Sequence, residues 1–234
     1  MKKTIILIIL GIVTVGCIIF GTAYHVGGSL RLIKNPGHFI TNDDETGSNS
    51  MDQSVQAFSK IKINSSVMQI IIEEGDSFSV RGSWNKNWLR PELSVNNGVL
   101  DIQQHGKKHN NTGTNNCRIT ITVPSNTRLN DIDIDSNVGE IKFRSINSDE
   151  ISIKLNVGEI SMRDVSFDNV DIDNNVGEIS VYTPAELDDY DISLSTDVGE
   201  VNVNGKSYKR SYNQNGNRNR KIKIDTNVGE INLK

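Results

Sequence analysis

One five-residue phrase recurs through the C-terminal half of the chain and limits what the chain can fold into. NVGEI runs from Asn137 to Ile141, Asn156 to Ile160, Asn175 to Ile179 and Asn227 to Ile231, and DVGEV from Asp197 to Val201. Their glycines, Gly139, Gly158, Gly177, Gly199 and Gly229, stand 19, 19, 22 and 30 residues apart. A period near 20 marks stacked repeats, each too small to bury its apolar side alone.

Around each phrase apolar residues alternate with polar ones, the period of a half-buried strand. Ile132, Ile134, Ser136 and Val138 share one parity, then Ile141 and Phe143 share the other. The slip leaves Gly139 and Glu140 as consecutive outward positions, which is what a corner requires; glycine suits it because it takes positive φ without steric cost. The pattern repeats through Ile151 to Met162, Val170 to Val181, Ile192 to Val203 and Ile222 to Leu233. The expected fold is all-β: a parallel β-solenoid, a β-helix-like stack of coils of about 19–22 residues, preceded by one N-terminal transmembrane helix.

That helix is read from Ile5 to Phe20, an apolar run extended by Gly21 to Val26, about 22 residues in all and enough to span a bilayer core of roughly 30 Å. Lys2 and Lys3 put the tip in the cytoplasm, so residues 1–27 read as a signal-anchor and the C-terminal domain as extracellular, on a single-pass protein of the cell membrane. Two alternatives stay open: a cleaved secretory signal, which calls for a shorter apolar run and a small-residue cleavage site, and a lipoprotein signal ending at Cys17. Residues 28–57, with Pro36, Gly37 and the run NDDETGSNS, read as a flexible extracellular stalk. Residues 58–234 form the repeat domain.

Within it, Ile61, Ile63, Ser65 and Val67, then Ile70 and Ile72, match the repeat without its glycine, so that corner must be built differently. Leu93 to Ile102 reads as a degenerate second copy, and Ile119, Ile121 and Val123 as a strand stopped by Pro124. The stretch ITITVPSNTRLNDIDIDSNVGEIKF, a strand, a proline turn and then coils in which glycine precedes an acidic residue and isoleucine, resembles the bacterial adhesin-type domain known as domain of unknown function 4097. The resemblance covers Phe58 to Lys234 and implies a surface-exposed β-solenoid serving as an adhesin. It also implies an alternative, an accessory role in a cell-envelope stress-response system through protein–protein contacts.

No catalytic constellation stands out. Catalysis needs one acid and base that break the repeat, whereas Glu140, Glu159, Glu178, Glu200 and Glu230 recur in equivalent positions as a solvated carboxylate ladder. His25, His38, His105 and His109 all precede the regular coils. The glycine-dense nine-residue repeat of calcium solenoids is missing, so neither a metal site, nor a cofactor, nor enzymatic activity is expected. Asn137, Asn156, Asn175 and Asn227, with Asp197 as the odd member, are expected to form an amide ladder. Cys17 and Cys117 give no disulfide framework in the folded part.

Charge is uneven. Between Asp131 and Glu200 stand 18 acidic and 4 basic residues, while Asn204 to Lys221 holds six basic residues and no acid. This insertion, NGKSYKRSYNQNGNRNRK, interrupts the repeat. Its Lys206, Tyr208, Lys209, Arg210, Tyr212, Arg218, Arg220 and Lys221 are the candidate contacts for anionic envelope polymers or surface glycans. A polar loop that only neutralises the acidic coils is the plainer reading. Nucleic acid is not expected outside the cell. Another membrane protein is the alternative partner, and an uncapped last strand at Ile231–Leu233 would allow end-to-end self-association.

Overall fold

The computed structural model describes residues 49–105 and 115–234. The expected membrane helix, the alternatives at Cys17 and most of the stalk lie outside these residues; among the described residues no helix is long and apolar enough to cross a membrane. Among the described residues the fold is all-β, with two short 3-10 turns, at Asn87–Leu89 and Leu187–Asp189.

In chain order the strands are β1 (Asn49–Ser54), β2 (Lys60–Gly75), β3 (Ser79–Trp84), β4 (Glu92–Asn96), β5 (Val99–Gln103), β6 (Cys117–Pro124) and β7 (Arg128–Arg144). They continue as β8 (Asn147–Arg163), β9 (Ser166–Val176), β10 (Ile179–Tyr182), β11 (Tyr190–Val203), β12 (Lys206–Tyr208), β13 (Ser211–Gln214) and β14 (Arg220–Leu233). The long strands bend at the repeated phrase and pair in parallel, equivalent residue to equivalent residue: Gly139 with Gly158, Gly199 with Gly229. Ser145 (φ +53°) and Asp164 (φ +55°) turn the chain from one coil into the next.

Each coil adds one residue to every inward column. Ile132, Ile151, Val170, Ile222 and Ile192 form one such column in ladder register, and all five are buried. A buried aliphatic side chain stabilises by about 1.5–3 kcal/mol, and here the partners are always the coils on either side.

The hydrogen-bonded network does not stay open. β8 reaches β14 through β9 along one arm of the coil and through β10 along the other, so the fourteen strands form one sheet that closes on itself. Where the repeat predicts an open solenoid, the structure has a closed, barrel-like sheet of stacked coils, because both arms of each bent strand find neighbours.

Coil order also departs from chain order. β14 lies between the β9–β10 coil and β11, paired in parallel on both sides. The expected free edge at Ile231–Leu233, and with it self-association there, is overturned: Val181 and Val203 flank Leu233 in the ladder. Antiparallel strands close both ends of the stack. β12 and β13 cover the two arms of β11; at the other end β4 covers β5, while β3 and then β1 cover β6. Such covers leave only short strands, β1, β4, β12 and β13, as the edges of the sheet, which limits the edge pairing that invites aggregation.

Two sequence readings change as a result. Leu93 to Ile102 is no coil copy: β4 and β5 are an antiparallel hairpin about Asn97 (φ +51°) and Gly98 (φ +74°), the Asn-Gly pair that a two-residue turn with two positive φ angles favours. The parity slip at Gly98 and Val99, which the sequence reading takes for a corner, is this turn running into β5. At the N-terminal side, β1 pairs with β3, so residues 49–54, assigned to the stalk, are strand.

Candidate binding surface

The corner explains the phrase. Gly158, Gly177, Gly199 and Gly229 hold φ between +146° and +159°, and a Cβ on any of them would fall 1.7–1.8 Å from the carbonyl oxygen of the glycine in the adjoining coil. Met68 occupies the equivalent place in β2 without strain because no coil lies beneath it; instead the Gln104 side-chain oxygen accepts from the backbone N–H groups of Ser66 and Val67 (3.1 and 2.9 Å).

The corner takes four outward residues, not two. Val138, Val157, Val176 and Val228, expected inside, are half-buried, and Val198 is 55% exposed. The inside of the turn is filled by the residue just before the phrase, polar in every coil but that of Leu155: Asn174 Nδ2 donates to Gly158 O (3.3 Å), Thr196 Oγ1 to Gly229 O (3.1 Å), and Ser65 Oγ to Ser136 Oγ (2.8 Å).

Outside, the asparagines form the amide ladder. Asn156 Nδ2 donates to Asn137 (2.7 Å), Asn175 to Asn156 (2.7 Å) and Asn227 to Asn175 (2.8 Å). The glutamates stack beside them, running from Glu140 through Glu159, Glu178 and Glu230 to Glu200. Polar side chains temper the repulsion: Glu140 pairs with Lys142 and accepts from Gln69, Glu178 accepts from Asn232 (3.2 Å), Glu230 from Asn202 (2.7 Å), and Glu200 from Ser207. Glu159 has none of these relays, and partial burial, then the charges of Glu140 and Glu178, push its carboxyl above the ordinary range, with Lys142 opposing. Among the described residues no three His, Cys, Asp or Glu side chains converge as a metal ion would need.

The basic insertion forms the cap on β11. β12 returns from β11 through Asn204 (φ +49°) and Gly205 (φ +75°), a second Asn-Gly turn. Tyr208 and Tyr212 are seated against the core with ring centroids 4.7 Å apart. Lys206 Nζ lies 5.3 Å from the Tyr208 ring. Arg218 pairs with Asp189 (3.2 Å), and Arg220 with Asp168 (3.1 Å) while lying over the Tyr190 ring. Lys221 is drawn away from the cluster, onto β14 between Asn169 and Asp191 in the ladder. Of the eight residues singled out by sequence, Lys206, Lys209, Arg210 and Lys221 are exposed cations without a carboxylate partner among the described residues, and the first three stay together on the cap.

A second basic column was not singled out, because its members are far apart in the chain. The residue three places after the isoleucine of the phrase is Arg144, Arg163, Tyr182 or Lys234, and the ladder sets Arg144 beside Arg163 and Arg163 beside Tyr182. Reading the repeats in vertical alignment would have revealed it.

The chain belongs to the Toastrack family, domain of unknown function 4097, whose profile matches residues 58–185. A solved structure of a "putative cell adhesion protein" from Clostridium sporogenes is similar over 80% of this chain and 99% of its own, at 19% identity and a TM-score of 0.57. A "putative adhesin" from Bacteroides fragilis aligns over 80% of this chain and 97% of its own, at 14% identity and a TM-score of 0.37. No curated protein matches the sequence.

Proposed function

We propose that the protein is a non-catalytic, membrane-anchored binding module of the cell surface, a solenoid-like stack that presents its C-terminal cap to anionic polymers of the envelope. The observation that carries this reading is the set of three unpaired cations, Lys206 on β12 and Lys209 and Arg210 on the link to β13, between strands whose tyrosines pack against the core. Cations fixed on a rigid support lose little freedom on binding, and their attraction for a polyanion falls with salt. The adhesion name of the similar Clostridium structure accords with a surface role, and the apolar run at residues 5–26 accords with an anchor.

The test uses the full chain in neutral detergent, incubated with isolated cell envelopes across a salt series. Wild type is expected to bind at low salt and to release as salt rises, and K206Q/K209Q/R210Q to bind more weakly. Deleting the insertion would be a poor test, because β12 and β13 cover the edge of β11. Absence of binding at low salt, with a membrane protein co-purifying instead, would sink this reading in favour of an envelope-stress partner.

A further inference from the structure

The column Arg144, Arg163, Tyr182 and Lys234 is one wall of a trough that runs along the stack. In each of these strands the outward residue two places earlier is Lys142, Ser161, Ser180 or Asn232, and four places earlier Glu140, Glu159, Glu178 or Glu230. Alternation puts all three columns on one face, with the walls about 13 Å apart at roughly 3.3 Å per residue. Lys142 folds onto Glu140 and closes the β7 end; beyond it the floor is Ser161, Ser180 and Asn232, small and polar.

The basic wall is under-compensated. Like charges directly opposite each other on neighbouring strands destabilise a sheet, and Arg144 stands opposite Arg163. Arg144 reaches only Glu73, at 3.5 Å, and shares it with Arg81 at 3.9 Å; Arg163 has no carboxylate partner among the described residues. Lys234 Nζ sits 5.5 Å from the Tyr182 ring. An anion from solvent between the two guanidinium groups relieves their repulsion and satisfies their planar donors, which match a carboxylate.

We propose that this trough binds a linear acidic polysaccharide lying across the coils, with one carboxylate between Arg144 and Arg163 and hydroxyls on Ser161, Ser180 and the glutamate wall. The glutamates set the selectivity: they accept from sugar hydroxyls but repel a polymer charged along both edges, such as duplex DNA. This rests on the reading of the chain as a surface binding module, at a site separate from the cap.

The test measures affinity of the full chain in neutral detergent for hyaluronan, in which acidic and neutral sugars alternate, with dextran and a DNA duplex as comparators. Hyaluronan is expected to bind, dextran not, and DNA more weakly. R144Q/R163Q should lower hyaluronan affinity tenfold or more. S180W, which fills the floor without changing charge, should do the same, and decides the matter if the arginine variant does not fold. With the cap cations already removed in K206Q/K209Q/R210Q, adding R144Q/R163Q should still lower hyaluronan affinity tenfold or more, so that the trough is tested apart from the cap, while loss of envelope binding in K206Q/K209Q/R210Q alone tests the cap. Wild type that ignores hyaluronan, trough variants that bind it unchanged, or DNA bound as tightly as hyaluronan by the cap variant K206Q/K209Q/R210Q would each overturn the proposal.

Discussion

A Cβ on Gly158 would stand 1.7 Å from the carbonyl oxygen of Gly139, and the same relation climbs the stack through Gly177, Gly229 and Gly199. The close approach belongs to the backbone, which cannot yield as a side chain would. Gly158→Ala is therefore expected to cost about 3 kcal/mol or more, from overpacking plus backbone strain. Gly205 also has positive φ (+75°) but open space around it, so Gly205→Ala should cost only about 1 kcal/mol. Urea unfolding of both variants checks this; equal losses would show that conformational preference, not coil contact, selects the glycines.

Because β14 fills an internal slot, removing residues 220–234 should not merely shorten the stack. It separates β11, with its cover of β12 and β13, from the coils that β14 joins it to. Amide hydrogen exchange is expected to show protection lost throughout β11–β13 as well. Protection retained there would mean that the cap holds to the stack by other contacts.

Glu159→Gln should stabilise the protein near neutral pH. Burial and the flanking glutamates raise the Glu159 carboxyl above its unfolded value, so the native state binds a proton more readily than the unfolded state, and stability falls as pH rises through the carboxylate range. The gain is expected to be on the scale of one like-charged cross-strand pair, about 0.2–1 kcal/mol, and to vanish at acid pH where Glu159 is protonated in both states. Thermal melting at pH 7 and pH 3 measures it; a gain of equal size at both would assign the effect to something other than charge.

Cys117 is buried, and burial pushes its thiol up to about 12, with the Gln104 hydrogen bond opposing. Alkylation needs the thiolate, so a maleimide or iodoacetamide probe at pH 8 should leave Cys117 unmodified in the native protein and label it in denaturant. Rapid native labelling, read by peptide mass spectrometry, would show that the end of the stack near β6 opens readily.

Much of the coil was legible because its causes are local. The alternation of Ile132, Ile134 and Ser136, the break at Gly139 and the resumption at Ile141 record a bent strand whose inward side must be apolar. The amide and glutamate ladders follow from the same spacing once the coils stack. Val198 was misplaced because the parity rule cannot see that the Thr196 hydroxyl, reaching the Gly229 carbonyl, already fills the inner corner. The cap was half legible: its charge and tyrosines showed, but not that Arg218 and Arg220 meet Asp189 and Asp168.

The sequence by itself determined the all-β class, the bent coil, its register against any equivalent coil and the need for glycine at the turn. It did not determine which coil lies beside which. The copies offer their neighbours the same inward aliphatics, the same glutamate and, Asp197 apart, the same asparagine, so many stacking orders satisfy the pattern almost equally. Only the tertiary structure broke that degeneracy: the Asn204–Gly205 turn folds β12 and β13 onto β11, which makes β11 the covered end and sends β14 into the slot beneath it. Placing β14 there sets Lys234 beside Tyr182, and with it the far end of the basic wall.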